Sequence, residues 1–230
     1  MRTRSELLEQ YRKIDRFLKD HYTYYDDWEL KQIRHCATID YTNKFIPDIM
    51  REIYAELDLF KDGENIYSGF LNLLENNFDI NQDIIEVGGG ILPKLAEEIS
   101  LKQNNGTITV YDPRLGTTES NYDNLFLKKE KFTLQTDVSA SGLIIGFMPC
   151  EATEYIIDNA TRNKKDFMIG MCEGGPHGDI FDFYEDEDEW LSAMLYFAEN
   201  RIEENNLGTL QKTYMKEYNY KYPIIWNKRD

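Results

Sequence analysis

The chain has 230 residues, 41% of them hydrophobic and 13% aromatic, and a formal net charge of −16, which is enough apolar mass for one large domain or a domain with an accessory part. So acidic a surface repels phosphate backbones, and the basic residues gather only in the short groups Arg2/Arg4, Lys128/Lys129/Lys131 and Lys164/Lys165, which makes nucleic acid an unexpected partner. No apolar run approaches the roughly 18 residues that span a bilayer, the first residues carry no secretory-type apolar block, and the three cysteines include no Cys-x-x-Cys pair, so cytoplasm is the expected compartment.

Residues 1–80 read as helical. Leu7, Leu8, Tyr11, Ile14, Phe17 and Leu18 fall at three-to-four-residue spacing behind Ser5, a candidate N-cap. The pattern breaks between Thr23 and Asp27 and resumes as a second helix from about Asp27 to Thr38. The aromatic cluster at this break, from His21 to Trp28, reads as packing of helices, with a ligand-covering lid as the functional alternative. Pro47 opens a third apolar-periodic stretch through Ile49, Ile53, Leu57 and Phe60, ended by the turn Lys61-Asp62-Gly63. Leu71, Leu73, Leu74 and Phe78 mark one more helix.

A second region, 81–230, begins with Asp83-Ile84-Ile85-Glu86-Val87-Gly88-Gly89-Gly90-Ile91-Leu92-Pro93. A short apolar run ends in three glycines and leads into the amphipathic segment Leu92, Leu95, Ala96, Ile99. A second apolar run, Thr107-Ile108-Thr109-Val110-Tyr111, then closes on Asp112. Strand, glycine turn, helix, strand and acid describe a nucleotide-binding βαβ unit, in which glycine lets the backbone approach a ligand and the acid accepts ribose hydroxyls.

Glu86-Val87-Gly88-Gly89-Gly90 resembles the first motif of class I S-adenosylmethionine-dependent methyltransferases, an acid two residues before Gly-x-Gly, and Asp112 is similar to that family's ribose-binding acid. The family's third glycine falls at Leu92 here, a departure from the pattern. A dinucleotide fold wants a third small residue where this chain has Pro93, and calls for no acid before its glycines, so NAD ranks behind the methionine-derived cofactor. The resemblance implies a Rossmann-like, doubly wound α/β sheet, mostly parallel, with a C-terminal antiparallel hairpin. It implies S-adenosylmethionine as cofactor, with Glu86 toward its amino acid end and Gly88, Gly89 and Gly90 beneath it. The helices of 1–80 would then serve as a cap or lid, with completion of the core as the structural alternative.

Beyond Asp112 the reading is a polar loop, a helix around Tyr122–Lys129, and a weak strand from Phe132 to Thr136 that ends at Asp137. The resemblance puts Asp137 near the adenine edge. Leu143 to Pro149 is a buried strand whose carboxyl end, with Phe147 and Met148, borders the ligand crevice. A helix follows from Glu151 to Ala160, then a fifth strand, Asp166 to Cys172, and a glycine-rich loop, Glu173 to Asp179. Cys150 and Cys172 end adjacent strands near His177, but without tight thiolate pairs the expectation is no metal. The acids Glu185 to Glu189 read as a solvated helix start that complements the macrodipole. That helix continues to about Asn205. Thr209–Tyr218 and Tyr220–Asn227, separated by Asn219, form the tail hairpin.

Methyl transfer from an activated sulfonium needs mainly positioning, sometimes a base. The family's amino-methylating members end the fourth strand with Asp or Asn and Pro-Pro before an aromatic. Gly146-Phe147-Met148-Pro149-Cys150 keeps one proline and neither polar group. Glu151, Glu154 and His177 are the candidate bases, each with a structural alternative as a first-turn charge or a surface residue. The expected function is methyl transfer to a small molecule or protein. The alternative, motivated by Leu92 and the absent fourth-strand motif, is a non-catalytic relative that binds a nucleotide-like ligand or a protein partner.

Overall fold

A computed structural model of the chain describes residues 2–40, 50, 53–54, 56–57, 59, 66–171, 187–217 and 220–229. The expectations at Pro47, Ile49, Phe60, Lys61-Asp62-Gly63, Cys172, His177 with its loop, Glu185, Asp186 and Asn219 lie outside these residues. The chain divides into two compact units, Met1–Ile66 and Tyr67–Asp230.

In the first unit, α1 spans Arg4–His21 and α2 spans Asp27–Cys36. The N-cap of α1 is Thr3 instead of the expected Ser5. Its hydroxyl accepts from the Glu6 N–H while Glu6 reaches back to the Thr3 N–H, a reciprocal capping box. Asp26 and Glu29 repeat the device at α2. The buried stripe of α1 holds Ile14, Phe17 and Leu18 as expected, whereas Leu8 and Tyr11 are exposed and Gln10 is buried. Gln10 earns its place by hydrogen bonding: its Nε2 donates to the carbonyls of Ala37 (2.9 Å) and Ile39 (3.1 Å), just past α2. Arg2 adds a second tie. Its guanidinium donates to Gln10 and the Leu59 carbonyl and lies over the Tyr54 ring, whose phenol burial pushes up to about 12.

The second unit is a seven-stranded sheet of order β3-β2-β1-β4-β5-β7-β6. The strands are β1 (Ile84–Val87), β2 (Ile108–Tyr111), β3 (Leu125–Lys128), β4 (Leu143–Phe147), β5 (Asp166–Gly170), β6 (Gln211–Glu217) and β7 (Tyr220–Asn227). The first five run parallel, and β7 is antiparallel to both β5 and β6. The doubly wound α/β sheet with its tail hairpin is therefore as expected. Helices α3 (Ile66–Asn77), α4 (Lys94–Lys102), α5 (Thr153–Arg162) and α6 (Glu187–Glu204) accompany it. Strand alternation assigns the faces. Ile85, Val87, Ile144, Phe167 and Ile169 pack with Ile156, Ile157 and Ala160 of α5 and Trp190, Met194, Ala198 and Ile202 of α6. Glu86 and Val110 point to the other side, toward α4. Asp158 of α5, nearly buried, accepts from Arg201 Nε of α6 at 2.7 Å and locks the two helices together.

The stretch 122–136 departs from expectation. The predicted helix over 122–129 is instead β3, in register with β2 through Ile108↔Leu125 and Tyr111↔Lys128. Ladder hydrogen bonds to a neighbouring strand outweigh a weak local helical pattern. The predicted strand 132–136 is a turn, closed by Thr136 N–H to Thr133 O (3.0 Å) and Thr133 N–H to Thr136 Oγ1 (2.9 Å). The described residues of the β2–β3 and β3–β4 connections contain no helix.

Truncating Gln10 to Ala takes a donor from the buried Ala37 carbonyl and leaves the half-buried Ile39 carbonyl with the Tyr54 hydroxyl at 3.4 Å, so Gln10→Ala should lower stability by about 1–3 kcal/mol, read as a lower urea midpoint of the helical signal.

Candidate functional site

In an open parallel sheet, a crevice forms where the chain leaves two adjacent strands in opposite directions. Here that switch lies between β1, which leads to β2 on one side, and β4, which leads to β5 on the other. The carboxyl ends of these strands carry the glycine turn and the Phe147–Cys150 turn.

The register of β1 and β2 brings the sequence-predicted residues together. Gly88 N–H donates to Tyr111 O (3.0 Å), and Gly90 N–H donates to Asp112 Oδ2 (2.9 Å). Gly88 and Gly90 hold φ of +82° and +76°, a region costly for other L residues. At Gly89 the requirement is space: a Cβ there would stand 2.5 Å from Val110 Cγ1. A Cβ on Gly88 would meet Pro149 Cα at 3.0 Å, so the β4 turn rests directly on the glycine turn.

Glu86 lies beneath that turn at 2% exposure. The N-cap of α4 is Pro93, which offers no side-chain cap; the Glu86 carboxylate takes that role by accepting from the Ala96 N–H. Its Oε2 has no hydrogen-bond partner among the described residues. Burial, and next the charge of Asp112, push the Glu86 carboxyl up to about 8 against the pull of the Ala96 N–H. Asp112 is itself nearly buried. Its Oδ1 accepts from Arg114 N–H at 2.6 Å, and the Arg114 Nε stands 3.7 Å away.

The remaining candidates sit apart from this pair. Met148 borders the turn with φ +55°, its N–H bonded to Gly170 O at 2.6 Å. The Phe147 ring packs among Phe70 (5.3 Å), Tyr222 (5.3 Å) and Tyr67 (5.6 Å). Asp137 is exposed in the loop after the 133–136 turn rather than at a strand end. Hydrogen bonds from Ser139 hold its carboxyl below the ordinary range. Glu151 and Glu154 are exposed at the 3-10 turn Cys150–Ala152 and the first turn of α5. Sequence reasoning missed Arg114 and Pro149. The first had a local signal, since Asp-Pro-Arg forms an Asx turn onto its own backbone two residues on; the second had none, because its contact with Gly88 is set by strand packing.

With a raised carboxyl, stability is full below the unfolded value of 4.5 and is lost as pH climbs through about 8, because the unfolded chain ionises first. Glu86→Gln keeps an acceptor for Ala96 and removes the titration. Wild-type stability, measured by urea unfolding across this range, should fall relative to the variant by at most roughly 5 kcal/mol. Parallel profiles would exclude Glu86 as the source.

No family model and no curated protein sequence matches the chain. Among solved structures, magnesium protoporphyrin IX methyltransferase (ChlM) from Synechocystis PCC 6803 with bound SAM is similar, at TM-score 0.53 and 8% identity, covering 90% of this chain and 94% of that one. The same enzyme with bound SAH matches at TM-score 0.53 and 8% identity, over 90% and 97%. At this identity the likeness is one of architecture, and the architecture that the chain shares with that enzyme is a Rossmann-like fold.

Proposed function

We propose that the chain is an S-adenosylmethionine-dependent methyltransferase acting on a small molecule or a protein. The observation that carries this reading is the buried, half-partnered Glu86 carboxyl under the glycine turn, with Asp112 alongside and no ion pair to Glu86 among the described residues. A sheltered carboxyl with no ion pair of its own among the described residues suits a ligand that brings positive charge. S-adenosylmethionine carries two such groups, a sulfonium and an ammonium.

In this reading Gly88, Gly89 and Gly90 seat the cofactor, Glu86 answers its amino acid end and Asp112 its ribose. The bound cofactor supplies an activated methyl group, so the chain's own task is to hold an acceptor in line and keep water out. Met148 and Phe147, where β4 meets the crevice, are placed to border the acceptor side, and Asp137 serves the adenine edge once its loop turns inward. Glu151, Glu154 and His177 are the candidate bases. The net charge of −16 favours a small-molecule or protein acceptor over nucleic acid. Three cysteines without a Cys-x-x-Cys pair suit a cytoplasmic setting, and no helix among the described residues is long and apolar enough to cross a membrane.

A non-catalytic binder of a nucleotide-like ligand is favoured by one feature. Both Asp112 oxygens already have donors within the chain, and Pro149 rests on Gly88. Titration calorimetry with S-adenosylmethionine and S-adenosylhomocysteine tests the first reading: saturable binding that Gly89→Val abolishes is expected, and no heat with either at high concentration sinks it. Binding without methyl transfer across small-molecule and protein acceptors would favour the second.

A further inference from the structure

The cofactor reading treats Glu86 as a partner for an ammonium group. Its surroundings add a condition. Glu86 is enclosed by β1, its β2 neighbour Val110, its β4 neighbour Ile145, and the first turn of α4. The two strand neighbours are uncharged. The titratable groups that face it are Asp112 at the end of β2 and Glu97 on α4, both acidic. The nearby cation of α4, Lys94, pairs with Glu97 at 3.8 Å, and Arg114 is directed to Asp112. Among the described residues, the carboxyl accepts from the Ala96 N–H and its Oε2 has no hydrogen-bond partner. An ionised carboxylate so placed is desolvated, beside a like charge and underbonded, all three of which favour the neutral acid. The glycine turn lies directly against it, since a Cβ on Gly89 would stand 3.8 Å from the Glu86 carboxyl carbon.

We infer that Glu86 holds a proton in the ligand-free protein at neutral pH and releases it to solvent when a ligand's ammonium group settles over the glycine turn. This rests on the cofactor reading and deepens it. The balance is simple. A neutral carboxyl and an ammonium become a carboxylate beside an ammonium, and one proton passes to the buffer. The favourable charge pair forms in a low-dielectric setting where it is strong, at the expense of the deprotonation. Cofactor capture thereby becomes sensitive to pH on the acid side of neutrality, and a ligand that lacks the amino acid end does not drive the release.

Calorimetry of S-adenosylhomocysteine in buffers of small and large ionisation enthalpy counts the protons. Release approaching one per site is expected between about pH 5.5 and 7, with affinity rising by up to about tenfold per pH unit. The contrast ligand 5′-methylthioadenosine, which has no ammonium, should bind with no buffer-dependent heat. Glu86→Gln should bind S-adenosylhomocysteine more weakly, with neither proton release nor pH dependence. If S-adenosylhomocysteine binds the wild type with the same heat in every buffer, the inference is overturned and the cofactor reading stands. If neither ligand binds, the cofactor reading fails and takes the inference with it. A carboxyl-carbon NMR titration of the free protein, with the Glu86 signal identified by its loss in Glu86→Gln, is a check that needs no ligand. A midpoint in the ordinary carboxylate range would overturn the inference even where binding is seen.

Discussion

Glu86 occupies the end of a strand that is covered on both faces, and it closes the first turn of α4 through the Ala96 N–H while its second oxygen goes unanswered. Nearly every nearby feature is adjusted to that buried acid. Pro93 can begin α4 without a capping side chain because the carboxyl arrives from below. The glycine turn passes over it closely enough that Gly89 has no room for a side chain against Val110. Asp112 is drawn to the same place by the parallel register of β1 and β2, and its oxygens are occupied by the N–H groups of Gly90 and Arg114. The chain thus concentrates two acids at one end of the sheet and supports only one of them fully, an arrangement that costs stability and is typical of sites kept for a ligand.

The opposing wall of the crevice is set differently. The Phe147–Cys150 turn holds two non-glycine residues at positive φ, Met148 and Cys150, and leans Pro149 on Gly88. Phe147 anchors it from behind, in a cluster with Phe70 of α3 and Tyr222 of β7. The tail hairpin therefore does more than finish the sheet: through Tyr222 it helps fix the turn that faces the glycines. A helix before the first strand and the last strand of the chain meet on the same ring.

Legibility in the sequence followed how local each determinant is. The βαβ unit was readable because a strand ending in glycines and a strand ending in an acid are adjacent signals, each needing only its own neighbours. The hairpin was readable from its two β-rich runs. The strand β3 was not, because Leu125–Lys128 becomes a strand only by pairing with β2, and its isolated pattern passes for a helix. Gln10 gives no inward signal in the sequence, because the two carbonyls beyond α2 that hold it inward are 27 and 29 residues away. Asp137 reads as a strand end because the two threonines before it, Thr133 and Thr136, have β propensity, yet in the fold the N–H of each donates to an oxygen of the other, the Thr136 hydroxyl and the Thr133 carbonyl, and closes a turn. Pro149 on Gly88 needed the fold itself.

The bare connections on either side of β3 have a dynamic consequence. The strand is four residues long, hydrogen-bonded along one side only, and leaves Phe126 half in water. Segments with few buried contacts and solvent-facing ladders open first, well below the free energy of global unfolding. The Asp112 N–H is bonded to Lys128 O at the last residue of this strand, at 3.2 Å. Each opening of the sheet's thin edge thus loosens the backbone beneath one of the two acids, so Asp112 breathes with the edge while Glu86, deep in the central strands, stays still.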